Sequence, residues 1–133
     1  MIVDDEPTLI FFLKQGLQES DLVCRVENAS SSQEALSKLT LDRYDLLITD
    51  LRMPGISGLT LIEVARSLYP HIYVILMTAY GSREVEEKAS QLNVDAYLTK
   101  PFPTAKLRNV ITNLLTNGHS AERPGVSKPQ YEG

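Results

Sequence analysis

Three carboxylates, a hydroxyl and an ammonium stand where apolar runs end. Met1-Ile2-Val3 runs into Asp4-Asp5, Leu46-Leu47-Ile48-Thr49 into Asp50, Tyr73-Val74-Ile75-Leu76-Met77 into Thr78, and Tyr97-Leu98-Thr99 into Lys100. Carboxylates gathered in one small pocket repel one another, and unaided their pKa values rise. A cation resolves the conflict. All-oxygen ligands suit Mg²⁺, with Mn²⁺ as the alternative, and waters complete the shell. The negative charges of Asp4, Asp5 and Asp50 then meet two positive charges from the metal and one from Lys100, so the site is balanced and can accept an anion that brings its own charge. Phosphate fits. An Asp nucleophile, a metal and a lysine are the parts of acyl-phosphate formation, and Thr78 adds a hydroxyl donor for a phosphoryl oxygen. Singly, each residue has a plainer reading. A lone Asp after a strand is usually a cap or turn residue. Asp4-Asp5 is more often a solvated pair, Thr78 a turn hydroxyl and Lys100 a surface residue. It is their order, each at a strand end, that favours a site.

The elements that must position them follow from periodicity. Leu46, Leu47 and Ile48 are apolar without alternation, which suits a strand covered on both faces of a parallel sheet. The strands expected are Met1–Val3, Leu22–Val26, Tyr44–Asp50, Tyr73–Met77 and Asp95–Thr99. The first is short, as though the native strand began earlier. Helices are expected over about residues 7–19, from the capping box Ser31/Glu34 onward, from Ser57-Gly58 to Pro70, over Arg83–Leu92, and from Pro103 or Thr104. The alternation predicts an α/β fold: a doubly wound, flavodoxin-like, five-stranded parallel sheet of order 2-1-3-4-5 with five helices on both faces. In that order strands 1 and 3 are neighbours, and Asp4, Asp5 and Asp50 share one carboxyl edge, where such sheets bind ligands.

The 133 residues make one domain, 43% hydrophobic, with an aliphatic core since only 7% are aromatic and none is Trp. A net charge of -4 argues against direct nucleic-acid binding. Cys24 is alone, so there is no disulfide framework or Cys-rich zinc site, and its expected role is a small buried hydrophobe. No run reaches membrane-span length and no signal segment is present, which points to a cytoplasmic setting without a membrane. From Asn117 the composition turns to Gly, Ser and Pro, so residues 1–116 form the domain and 117–133 a flexible tail or cut linker, its last residues resembling an expression scar.

The motifs Val3-Asp4-Asp5-Glu6, Thr49-Asp50-Leu51-Arg52-Met53-Pro54-Gly55, Met77-Thr78-Ala79-Tyr80 and Thr99-Lys100-Pro101-Phe102 jointly resemble the receiver domain of two-component response regulators, over about residues 2–116. The wording is most similar to receivers of the nitrogen-regulator kind. The resemblance implies that Asp50 is the phosphoacceptor, that Asp5 ligates Mg²⁺ directly and Asp4 mainly through water, and that the Arg52 backbone carbonyl is a further ligand. It also implies that Lys100 contacts the phosphoryl group and that Thr78 and Tyr97 form a switch pair, although packing explains Tyr97 about as well. A sensor histidine kinase would be the donor. The chain would be a signalling domain that labels itself from phosphodonors and loses the label again, not a turnover enzyme.

Three other readings compete. A non-phosphorylated module of the same fold would lack site residues, and none is missing. An Asp-nucleophile phosphatase needs a second acid two residues after the nucleophile, where this chain has Arg52. A nucleotide or flavin binder lacks its glycine-rich signature here. Two further expectations concern shape. The Lys100-Pro101 bond should be cis, because lysine must turn back directly after a strand. The helix Arg83–Leu92 has a thin apolar face, the mark of an element that moves at low cost. On phosphorylation Thr78 would move and Tyr97 turn inward from solvent. The surface of helix 4, strand 5 and helix 5 would change shape for an output domain, a partner or a second copy.

Overall fold

A computed structural model describes residues 1–19, 24–79, 81–117 and 130–132. The chain alternates strands and helices: β1 Ile2–Val3, α1 Pro7–Gln18, β2 Asn28–Ala29, α2 Ser32–Leu41, β3 Leu46–Asp50, α3 Gly58–Leu68, β4 Tyr73–Thr78, α4 Arg83–Gln91, β5 Ala96–Thr99, α5 Thr104–Asn117 and β6 Gln130–Glu132. The sheet is parallel, in the order β2-β1-β3-β4-β5-β6. Its first five strands stand in the expected order, with helices on both faces.

Strand alternation divides the core in two. Val3, Leu47, Val74, Leu76 and Tyr97 point to one face, where α2, α3 and α4 supply Ala35, Leu39, Leu61, Ile62, Ala65 and Ala89. Ile2, Ile48, Ile75, Met77, Ala96 and Leu98 point to the other, against Ile10, Leu13 and Leu17 of α1 and Leu107, Val110 and Ile111 of α5. Each fully buried aliphatic side chain contributes about 1.5–3 kcal/mol. Central strands covered on both faces are therefore held far more firmly than α4, whose one buried residue is Ala89.

Serines start three of the helices. Ser31, Ser57 and Ser82 accept from the backbone N–H of Glu34, Thr60 and Val85 at 3.1, 3.2 and 3.2 Å. The return limb of the α2 capping box reaches Ser30 N at 2.6 Å, one residue before the cap. Arg66 of α3 ties the far end of α4 to the sheet. Its guanidinium donates to the carbonyls of Ile72 (3.1 Å), Leu92 (3.2 Å) and Asn93 (3.0 Å) and to Asp95 Oδ2 (3.3 Å), which also accepts Val74 N–H.

The second strand corrects the sequence reading. Residues 20–23, and with them Leu22 and Val23, lie outside the described residues, and the strand that pairs with β1 is Asn28–Ala29, in register with Ile2 and Val3. Neither Asn nor Ala favours strands. Pairing with β1 sets their conformation, a case of tertiary context overriding propensity. Cys24 is exposed, not a buried hydrophobe, since the chain there precedes the strand instead of lying in it. The expected tail falls mostly on 118–129, also outside the described residues, while α5 continues to Asn117 and Gln130–Glu132 adds a sixth strand that the turn-rich composition did not announce.

Candidate acidic site at the carboxyl edge of the sheet

The site gathers what β1, β3, β4 and β5 deliver at their carboxyl ends. Asp4 follows β1, Asp50 ends β3, Thr78 ends β4 and Lys100 follows β5. Asp50 sits opposite Met77 in the β3–β4 register, so Thr78 stands one residue beyond it, paired in turn with Thr99 next to Lys100. Asp4, Asp50 and Thr78 are buried, whereas Asp5 is exposed. Asp4, Asp5 and Asp50 each offer a carboxylate oxygen within 4.8 Å of the others. Such an all-oxygen set, partly open to water, fits a hard divalent cation that keeps several waters.

Lys100 bridges the carboxylates. Its Nζ donates to Asp4 Oδ2 at 2.6 Å and lies 3.2 Å from Asp50 Oδ2, with Glu6 Oε1 at 3.8 Å. The Lys100-Pro101 bond is cis, as expected, and the Lys100 N–H bonds to the Thr78 carbonyl. Burial alone would lower the Lys100 pKa, but the hydrogen bond to Asp4 and the charges of Asp4 and Asp50 outweigh it, so the ammonium is held above its ordinary value. Burial pushes the Asp50 carboxyl up, opposed by Lys100 and reinforced by Asp4. The carboxylate is also fixed in rotation, because Oδ1 accepts Leu51 N–H at 2.9 Å. Both Asp4 oxygens are occupied too: Oδ1 takes the Glu6 N–H at 2.9 Å and Oδ2 takes Lys100.

The loop after β3 is pinned by residues the sequence reading passed over. Ser32, buried at the start of α2, donates to the Pro54 carbonyl and accepts Ile56 N–H, each at 3.0 Å. This holds the turn that carries Arg52, whose side chain is exposed. Gly58 must lack a Cβ, which would sit 2.1 Å from the Asp50 carbonyl oxygen. The glycine was visible in the sequence as a turn residue. Nothing in the spacing of Ser32, eighteen residues before Asp50, could have marked it.

Tyr97 departs from expectation. It is fully buried and already inward. A Cβ on Gly81 would lie 2.7 Å from its hydroxyl, so the missing side chain makes room for the ring. Burial, and after it the charge of Glu86, push its pKa up, and the nearby Ser82 backbone opposes them. Concavities of about 390 Å³, beside Met1 and Tyr44, and about 630 Å³, beside Tyr69 and His71, lie at the opposite edge of the sheet and touch none of Asp4, Asp5 and Asp50.

Residues 1–112 match the family described as the response regulator receiver domain. The response regulator protein PilR of Pseudomonas aeruginosa is 33% identical over 126 residues, 93% of this chain and 28% of that protein. The DNA-binding transcriptional regulator NtrC of Proteus hauseri is 29% identical, covering 92% of this chain and 26% of that protein. The chain thus spans about a quarter of the length of these curated relatives. A CheY-like receiver domain from Methanospirillum hungatei superposes with a TM-score of 0.81 at 30% identity, covering 87% of this chain and 91% of that one. The fold, the convergent acidic site and these likenesses agree: the chain belongs to the receiver-domain family of two-component response regulators.

Proposed function

We propose that Asp50 is the phosphoacceptor and that the site works with Mg²⁺. The observation that carries this is Lys100 Nζ set between Asp4 and Asp50, with Asp5 completing an acidic cluster. Asp5, exposed at the rim, would ligate the metal directly, Asp4, fully buried and paired with Lys100, would act mainly through water, and Asp50 and the Arg52 carbonyl would complete the protein's share. When bound, Mg²⁺, or Mn²⁺ in its place, supplies the positive charge that lets an anionic phosphoryl group approach a carboxylate. An Asp50 oxygen attacks phosphorus, an O–P bond forms, and the bond to the donor breaks: P–N to the imidazole of a histidine kinase, or P–O to a small acyl phosphate. The leaving group takes the electron pair. Lys100 shifts from pairing carboxylates to pairing a phosphoryl oxygen, and the Thr78 hydroxyl donates to another.

The same site takes the group from small donors and releases it to water, without turnover of a separate substrate. Residues 1–116 form the receiver unit and 117–133 a tail or cut linker, of which Gln130–Glu132 lies along β5; the unit controls an output domain or partner. The signal is a shift of Thr78 and Tyr97 that alters the surface of α4, β5 and α5, where a partner or a second copy binds. A cytoplasmic kinase and receiver go with this reading. The test is incubation with acetyl phosphate and Mg²⁺ followed by intact mass. One phosphoryl mass is expected in the wild-type chain and none in Asp50→Asn. Normal labelling of that variant, or of the wild type in excess EDTA, would overturn the assignment.

A further inference from the structure

With five strands, β5 would be outermost and would present a row of backbone N–H and C=O groups, the kind of edge that recruits another strand. In this chain that edge is covered. Gln130–Glu132 pairs with it in parallel, with Gln130 opposite Ala96, Tyr131 opposite Tyr97 and Glu132 opposite Leu98. In chain order α5 lies between the two strands, the helical crossover that parallel neighbours need. It repeats the β–α–β step used by the rest of the sheet. The covered strand is the one bracketed by the two core faces. Tyr97 packs toward α3 and α4, and Ala96 and Leu98 pack toward α1 and α5.

We propose that the β5 edge is a strand-addition surface and that its occupant is the chain's own segment Gln130–Glu132, which covers it in cis. Recognition is through the main chain, as in strand addition generally. The tether holds the segment at an effective concentration of about millimolar. A ligand that needs the β5 edge must first displace the segment. If the edge is covered in about nine of ten molecules, such a ligand binds about tenfold more weakly than its intrinsic affinity. The proposal goes beyond phosphorylation and does not depend on it.

The test uses the full chain. Adjacent strand residues direct their N–H groups to opposite sides, so replacing Gln130 and Tyr131 together by Pro removes a donor whichever side faces β5. Amide hydrogen exchange is then read by NMR. The β5 amides of residues 96–98 that face away from β4 should exchange about tenfold faster in the double variant, with β4 amides unchanged. In the unsubstituted chain, backbone NOEs should connect residues 96–98 with 130–132, a measurement that needs no variant. Protection in that chain should also be independent of protein concentration. Equal exchange in the two chains, missing NOEs, or protection that fades on dilution, which assigns the strand to a second copy, would each overturn the proposal.

Discussion

Without a divalent cation, Asp50→Asn is expected to stabilise the fold near neutral pH. Asp50 Oδ2 lies 3.2 Å from Lys100 Nζ, and Asp4 and Asp5 each place an oxygen within 4.8 Å. At an effective dielectric near 20, unit charges at these separations interact by about 5 kcal/mol and by at least about 3.5 kcal/mol respectively. The attraction to Lys100 exceeds the repulsion from Asp4, and the exposed Asp5, screened by water, brings the charges near balance. Burial then decides, since the Asp50 side chain is only 12% exposed and desolvation is the largest influence on its carboxyl. Asparagine keeps the shape and can still accept Leu51 N–H, and Lys100 keeps Asp4 as its partner. A gain of about 1 kcal/mol follows. Urea unfolding followed by circular dichroism should show a midpoint higher by about 0.3–1 M. The pH dependence fixes the sign. Because the folded pKa is raised, the wild-type penalty is present above that value and vanishes below the ordinary carboxylate range near 4, so the gap should close as pH falls through that window. Saturating Mg²⁺ should reverse the order, since it stabilises the chain that binds it. A variant less stable than wild type at pH 7 in EDTA, or a gap that persists in acid, would refute the reasoning.

Lys100→Met should destabilise the metal-free fold by about 3 kcal/mol, because fully buried Asp4 loses its counter-charge; an unchanged urea midpoint would contradict this. Asp5→Ala should weaken Mg²⁺ binding more than Asp4→Ala, because Asp5 is exposed to meet the ion whereas Asp4 is fully buried and paired with Lys100. A Mg²⁺ titration by NMR shift that ranks them the other way would reassign the direct ligand. Gly81→Ala places a methyl group 2.7 Å from the Tyr97 hydroxyl and should drive the ring outward, seen as faster exchange and altered shifts of Tyr97; an unmoved ring would show that the loop yields instead.

What could be read from the sequence was what repeats or terminates. The apolar run ending in Asp50, the serine caps and the turn glycines announce themselves locally, so the sheet order and the convergence of Asp4, Asp5, Asp50 and Lys100 followed. What could not be read depends on distant partners. Asn28 and Ala29 become a strand only because β1 lies beside them, and Cys24 is exposed for the same reason. Ser32 matters through a loop more than twenty residues away. The inward Tyr97 depends on an absent side chain at Gly81, and β6 on an edge that composition does not describe.

The Arg66 guanidinium gives α4 the mechanics of a lever. Its grip on the Leu92 and Asn93 carbonyls makes the carboxyl end of α4 a fulcrum, while the end beginning at Ser82 and Arg83 lies next to the loop that covers Tyr97. A helix of 9 residues is about 13 Å long, so a tilt of about 10° about that fulcrum carries the free end about 2 Å and leaves Asn93 in place. A displacement arising near Thr78 would thus be graded along the helix, greatest where α4 begins and vanishing at its grip on Arg66. A ligand gripping the first turn of α4 would sense it, and one gripping the last turn would not.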